Sequence, residues 1–159
     1  GSEMCIRDSQ MSSKEFFELV KSHLKDDGVM VVNMNMRGMK EGNINQYLSD
    51  TIGSVFTTEV IVDVAGSSNR ELFASDDPDI GKNLTKHTGE LTNANLKNMM
   101  QEVASNLTEY QKGNYILTDD QAPVELLGMQ VIDELIKDEV QYYKDIYKER
   151  GIKGLMESL

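Results

Sequence analysis

Tryptophan is missing from the 159 residues, proline occurs twice and cysteine once. A single thiol, Cys5, excludes an internal disulfide and a cysteine-based zinc cluster. His23 and His87 stand far apart without a partner at ligand spacing, so no metal site is expected. No run approaches the roughly 18 apolar residues of a membrane span, and none is expected in this segment. Basic residues are also scarce, 16 against 27 acidic ones, for a net charge of −11. A surface of that sign repels phosphate, which argues against nucleic acid and anionic lipid as partners. Hydrophobic residues make up 39% and glycine contributes 12 more positions, an ordinary globular composition. It excludes a disordered tail, a collagen-like repeat and a mini-protein dependent on covalent staples.

Residues 1–10 read as a tag scar and a non-native or disordered leader. Gly1-Ser2 is what a cleaved tag leaves, and Glu3 to Ser9 resembles translated sequencing-adapter read-through without helical or strand periodicity. Native sequence is expected from Gln10 or Met11, with an N-terminal half missing and Cys5 of no chemical meaning. Residues 11–159 then read as one α/β domain fragment: a half sheet over 11–77 and a mainly helical region over 78–159.

Periodicity switches along the first of these. Ser12 or Ser13 can cap a helix carrying Phe16, Phe17, Val20 and Leu24 on one stripe. Asp26-Asp27-Gly28 ends it. Val29 to Met34 is uncharged and rich in β-branched residues, the pattern of a strand buried on both faces. After Gly42-Asn43, Ile44, Tyr47, Leu48, Ile52 and Phe56 keep helical spacing, and Glu59 to Ala65 returns to strand character. The turn formers Gly66 to Asn69 precede a third strand, Glu71 to Ser75, close enough for an antiparallel hairpin. Asp76 to Glu90 is polar and reads as loop, Leu91 to Tyr110 as helix, Asn114 to Asp120 as extended, and Val124 to Arg150 as a long helix. Ten methionines, four of them Met30, Met34, Met36 and Met39, fit adaptable core filling better than soft-metal binding.

Two stretches carry a resemblance. Glu15 to Ser75, with Leu24-Lys25-Asp26-Asp27-Gly28-Val29-Met30-Val31-Val32-Asn33 and the hairpin ending Asn69-Arg70-Glu71-Leu72-Phe73-Ala74-Ser75, resembles the C-terminal half of Rossmann-like S-adenosylmethionine-dependent transferases. Within these it is most similar to the spermidine synthase family. Leu117-Thr118-Asp119-Asp120-Gln121-Ala122-Pro123-Val124-Glu125 is similar to a more specific motif near the end of spermidine-synthase-like proteins. The resemblance implies the second half of a doubly wound sheet, about three strands with the last two an antiparallel hairpin, plus C-terminal helices. It implies aminopropyl transfer from decarboxylated S-adenosylmethionine to a polyamine in the parent protein, acting in the cytoplasm. A methyltransferase-like fragment and a non-catalytic interaction subunit are the alternatives.

The resemblance also implies which parts of the site this chain lacks. The family's glycine-rich cofactor turn follows the first strand, and no G-x-G-x-x-G occurs here. The acidic ribose ligand and the catalytic aspartate of the fourth strand belong upstream of Met11. No catalytic, cofactor-binding or metal-binding residue is therefore expected, and neither S-adenosylmethionine nor its decarboxylated form should bind the chain alone. The substrate side remains. In polyamine-making members the last hairpin turn carries a tyrosine and a proline, whereas Val64-Ala65-Gly66-Ser67-Ser68-Asn69 has neither. Ser67 and Asn69 are candidate substrate contacts or simple turn residues. Asp119 and Asp120 are candidates for binding a diamine or a hard cation, or caps of the helix that Pro123 and Glu125 begin. Val29 to Met34 has neither charge nor proline to blunt an exposed edge, and a homodimer through that strand is expected.

Overall fold

The computed structural model describes residues 11–35 and 42–122, with Val124, Glu125, Gly128, Gln141 and Asp145 beyond them. The chain divides into two compact units, residues 1–123 and 124–159. The leader, Met36 and Met39 lie outside the described residues. So does most of the expected helix from Val124 to Arg150; its five described residues are helical, with Gln141 Nε2 donating to Asp145 Oδ1 at 2.8 Å.

The first unit opens with α1 (Lys14–His23), where Ser13 rather than Ser12 is the cap, its hydroxyl accepting from the Phe16 amide. Strand β1 (Met30–Asn35) leads to α2 (Ile44–Val55), capped by Asn43, which accepts from the amides of Asn45 and Gln46. Then come β2 (Thr58–Asp63), β3 (Asn69–Ser75), α3 (Ile80–Gly89), α4 (Ala94–Ser105) and the two-residue β4 (Thr108–Glu109). The sheet order is β1-β3-β2-β4 and every pairing is antiparallel. Because β1 and β2 both oppose β3, they run parallel to each other, joined by the α2 crossover with the reversed strand between them. This mixed α/β arrangement fits part of a Rossmann-like sheet, and the expected hairpin of the last two main strands is present.

Cross-strand rows fix the two faces of the sheet. Met30, Ala74 and Glu59 share a row, as do Val32, Leu72 and Ile61. These face the core built from Phe17 of α1, Ile52 of α2, Phe56, Met34, Leu72 and Ala74. Of the four clustered methionines, Met30 and Met34 pack there as fillers, whereas Met11 and Met99 elsewhere are exposed.

Three expectations fail. β1 is not buried on both faces: its residues alternate, and Val31 is 55% exposed on the row shared with Phe73 and Val60. That face is covered only in part by α3 and α4, which leave cavities of about 390 and 490 Å³ against Val31 and Phe73. The stretch Asp76 to Glu90 is not a loop throughout, because Ile80, Leu84 and Thr88 at four-residue spacing form the inner stripe of α3. Helix α4 also starts later and ends earlier than Leu91 to Tyr110. Asn93 caps it by accepting from the Leu96 amide, and β2 recruits Thr108 and Glu109 as a strand. Among the described residues no helix is long and apolar enough to cross a membrane.

Candidate functional site

The carboxyl ends of β1 and β2 meet the start of β3 at one edge of the sheet, where Asn35 pairs with Asn69 and Asp63 with Arg70. In open α/β sheets ligands collect at the carboxyl ends of the strands. The turn between β2 and β3 depends on Gly66 at φ 72°, a conformation other residues adopt only at a cost. Its fold-back is set by two backbone bonds, Val64 N–H to the Asn69 carbonyl and Ser67 N–H to the Val64 carbonyl. Ser67 Oγ accepts from the Asn69 amide at 3.1 Å, so this side chain shapes the turn. Ser68 Oγ donates to Asn35 Oδ1 at 3.2 Å, and Asn45 Nδ2 donates to the Asn35 carbonyl at 2.7 Å. One polar rim thus joins the end of β1, the start of α2 and the hairpin turn. Below it Arg70 grips Asp63 through two bonds, 2.7 and 3.1 Å, and holds that carboxyl below its ordinary range.

Asp119 and Asp120 have different surroundings. Asp119 Oδ1 accepts from Ser13 Oγ at 2.5 Å, and the Asp119 amide donates to Glu15 Oε2 at 2.9 Å. The carboxylate is therefore engaged with the start of α1. The turn after it closes on the Thr118 carbonyl, which accepts from Gln121 and Ala122. Asp120 is exposed. The hydrogen bonds carry Ser67 and Asn69 to β1, and Asp119 to α1. The hairpin-turn pair and Asp119 thus belong to separate networks.

A third set of side chains is absent from the sequence-derived candidates. Asp50, 1% exposed on α2, accepts from Tyr110 Oη at 2.8 Å, from the Gly113 amide at 2.9 Å and from the Tyr115 amide at 3.0 Å. Thr51 Oγ1 accepts from the Leu117 amide at 3.0 Å, and Lys112 Nζ donates to the carbonyls of Phe56 and Thr57. Residues 110–117 are in this way strapped across α2, and the Leu117 carbonyl receives the Lys14 amide at the start of α1. Beneath the strap lies Glu59, 1% exposed, with neither carboxyl oxygen hydrogen-bonded among the described residues. Burial pushes its carboxyl up from 4.5 to about 8, the nearby Lys112 cation opposes the rise, and Asp50 adds to it. Burial and the bond to Asp50 likewise push the Tyr110 phenol up. Locally, Glu59 opens an apolar strand and Asp50 sits mid-helix, so neither announces a buried cluster. The signal available was alternation: Glu59 occupies the same side of β2 as Ile61.

Among the described residues no group of three or more His, Cys, Asp or Glu side chains could hold a metal ion. His23 Nδ1 lies 2.9 Å from the Leu19 carbonyl and His87 Nδ1 lies 3.1 Å from Glu90 Oε2, on different helices.

No family model matches the sequence, and no solved structure matches it. The chain is 45% identical over 168 aligned positions to a protein of Bifidobacterium longum described as a probable polyamine aminopropyl transferase. The match covers 94% of this chain and 37% of that protein, so the chain spans little more than a third of its relative's length. The resemblance carried by Glu15 to Ser75 and by Leu117 to Glu125 is borne out by this partial-length match.

Proposed function

We propose that this chain is the C-terminal, substrate-side portion of a polyamine aminopropyl transferase. The 45% identity running through 94% of the chain carries the reading. The reversed strand between β1 and β2 and the polar rim at their carboxyl ends support it, because that rim is where such a sheet presents groups to a ligand. In the whole protein an aminopropyl group passes from decarboxylated S-adenosylmethionine to an amine, in the cytoplasm. The chain itself supplies neither the glycine-rich cofactor turn nor the general base. Alone, it gives no one-to-one micromolar binding of S-adenosylmethionine, its decarboxylated form or methylthioadenosine in calorimetry. Micromolar binding would contradict the division of labour.

The acceptor differs from putrescine. The turn Val64 to Asn69 has no aromatic wall for a short alkyl chain, and offers Ser67, Ser68 and Asn69 instead. This feature also favours the second reading, a methyltransferase-like protein. Exchange of this chain into the matching part of the relative, followed by assay of methylthioadenosine release, separates the two.

The isolated chain forms a homodimer through β1. This strand has a single partner, β3, among the described residues, and Val29 and Val31 are exposed beside its open side. Pairing with a second copy satisfies the edge amides and carbonyls directly. Light scattering after size exclusion tests this.

A further inference from the structure

The strap over α2 is closed above a carboxyl group that has no hydrogen-bond partner among the described residues. Glu59 shares its row with Met30 and Ala74 and points into the space between β2 and α2. Gly53 makes that space: a Cβ there would collide with Glu59 Oε2 and would lie 3.0 and 3.2 Å from Cγ and Cδ of Lys112. The Lys112 stem and the Glu59 carboxyl therefore meet over the same bare Cα. The Lys112 ammonium is directed elsewhere, at 2.7 Å to the Phe56 carbonyl and 3.0 Å to that of Thr57, the groups ending α2. The strap starts on Glu59 itself, whose backbone carbonyl accepts the Tyr110 amide at 3.0 Å.

The charged and titratable groups that act on this carboxyl are few. From α2 comes Asp50, already saturated by Tyr110, Gly113 and Tyr115. From the strap come the Tyr110 phenol and Lys112. From β3 and β1 the row presents the apolar Ala74 and Met30. A proton on Glu59 keeps this arrangement neutral. Removing it places a second buried anion beside Asp50, and Lys112 is the cation whose stem already reaches it.

We propose that Glu59 is a protonation-controlled latch on the 110–117 strap. Protonated, it leaves Lys112 on the Phe56 and Thr57 carbonyls and the strap closed. Ionised, it draws the Lys112 ammonium to itself, strips those carbonyls of their donor and loosens the strap from α2. The step moves one proton to solvent and exchanges one set of acceptors for another. Because the strap continues through Leu117 to Lys14 and through Asp119 to Ser13, its loosening reaches the start of α1. The inference stands on this chain alone, whatever the parent protein catalyses.

Carbon-detected titration of the Glu59 side chain in the 159-residue protein tests it, paired with amide exchange corrected for its intrinsic base catalysis. The Glu59 carboxyl is expected to titrate near 8. Protection at Gly113, Tyr115 and Leu117 should fall roughly tenfold with the same midpoint. Glu59→Gln, which keeps shape and neutrality, should hold that protection constant from pH 6 to 9. Lys112→Met should raise the carboxyl midpoint and uncouple the strap amides from it, an arm that remains available if Glu59→Gln fails to fold. A carboxyl that titrates in the ordinary glutamate range would overturn the latch, as would strap amides indifferent to its midpoint.

Discussion

Ser13 Oγ donates to Asp119 Oδ1 at 2.5 Å while accepting from the Phe16 amide at 3.2 Å, so one hydroxyl joins the cap of α1 to a carboxylate 106 positions later. With the Asp119 amide on Glu15, the bond makes the Leu117–Ala122 segment a clamp on α1. The paired aspartates thus divide: both are exposed, but Asp119 is tied into the fold by its bonds to Ser13 and Glu15.

Asp119→Ala should cost about 1–2 kcal/mol in chemical denaturation, since it removes the group orienting a cap. Asp120→Ala should change stability by less than about 0.5 kcal/mol, as surface substitutions do. Equal losses at both positions would return the motif to a shared role, in capping or in ligand binding.

Asp50→Ala takes the shared acceptor from the Tyr110 hydroxyl and the amides of Gly113 and Tyr115, in a strap whose residues there are exposed or half-buried. A loss of about 1–3 kcal/mol is expected, with Asp50→Asn recovering part of it. Proteolysis by trypsin at Lys112 should report the opened strap before global unfolding.

Glu59 sets a pH dependence whose sign is opposite to that of a salt-bridged carboxylate. Its folded form holds a proton up to about 8, whereas the unfolded form releases it near 4.5. Between those values the native state binds more protons, so stability falls as pH rises through the window, by up to roughly 5 kcal/mol. Thermal melts at pH 5, 7 and 9 should show the decline in the wild type and a much flatter profile in Glu59→Gln. A rise in stability across that range would contradict the assignment.

Val31→Lys places a charge on the exposed face of the edge strand, beside its open side. Wild-type protein should elute as a dimer with twice the 17.9 kDa chain mass, and the variant as a monomer. A wild-type monomer at high concentration would remove the dimer from the account.

The main sheet was legible because its signals are local. Val29 to Met34 and Val60 to Val62 are strand-forming whatever surrounds them, and Ser13 and Asn43 are caps by side-chain chemistry. Helix α3 was hidden because Ile80 and Leu84 are its only large aliphatics and the remaining positions are polar. β4 could not be read from two residues, Thr108 and Glu109, that become a strand only by pairing with Ile61 and Val60. The partly covered face of β1 escaped for a different reason: hydrophobicity on both sides of a strand reports what it can bury, not what lies against it here. The candidate site divides the same way. The turn at Ser67 to Asn69 was visible in composition. The Asp50 strap depends on partners 60 to 65 positions away, which no local window contains.

The central claim is that these residues form the substrate side of an aminopropyl transferase, and one exchange tests it most directly. This chain replaces the matching 37% of the Bifidobacterium longum relative, and the folded chimera is given decarboxylated S-adenosylmethionine with a panel of amines. The account predicts amine-dependent release of methylthioadenosine, with an acceptor preference shifted from putrescine. A folded chimera that releases none, or that transfers a methyl group from S-adenosylmethionine instead, would contradict it.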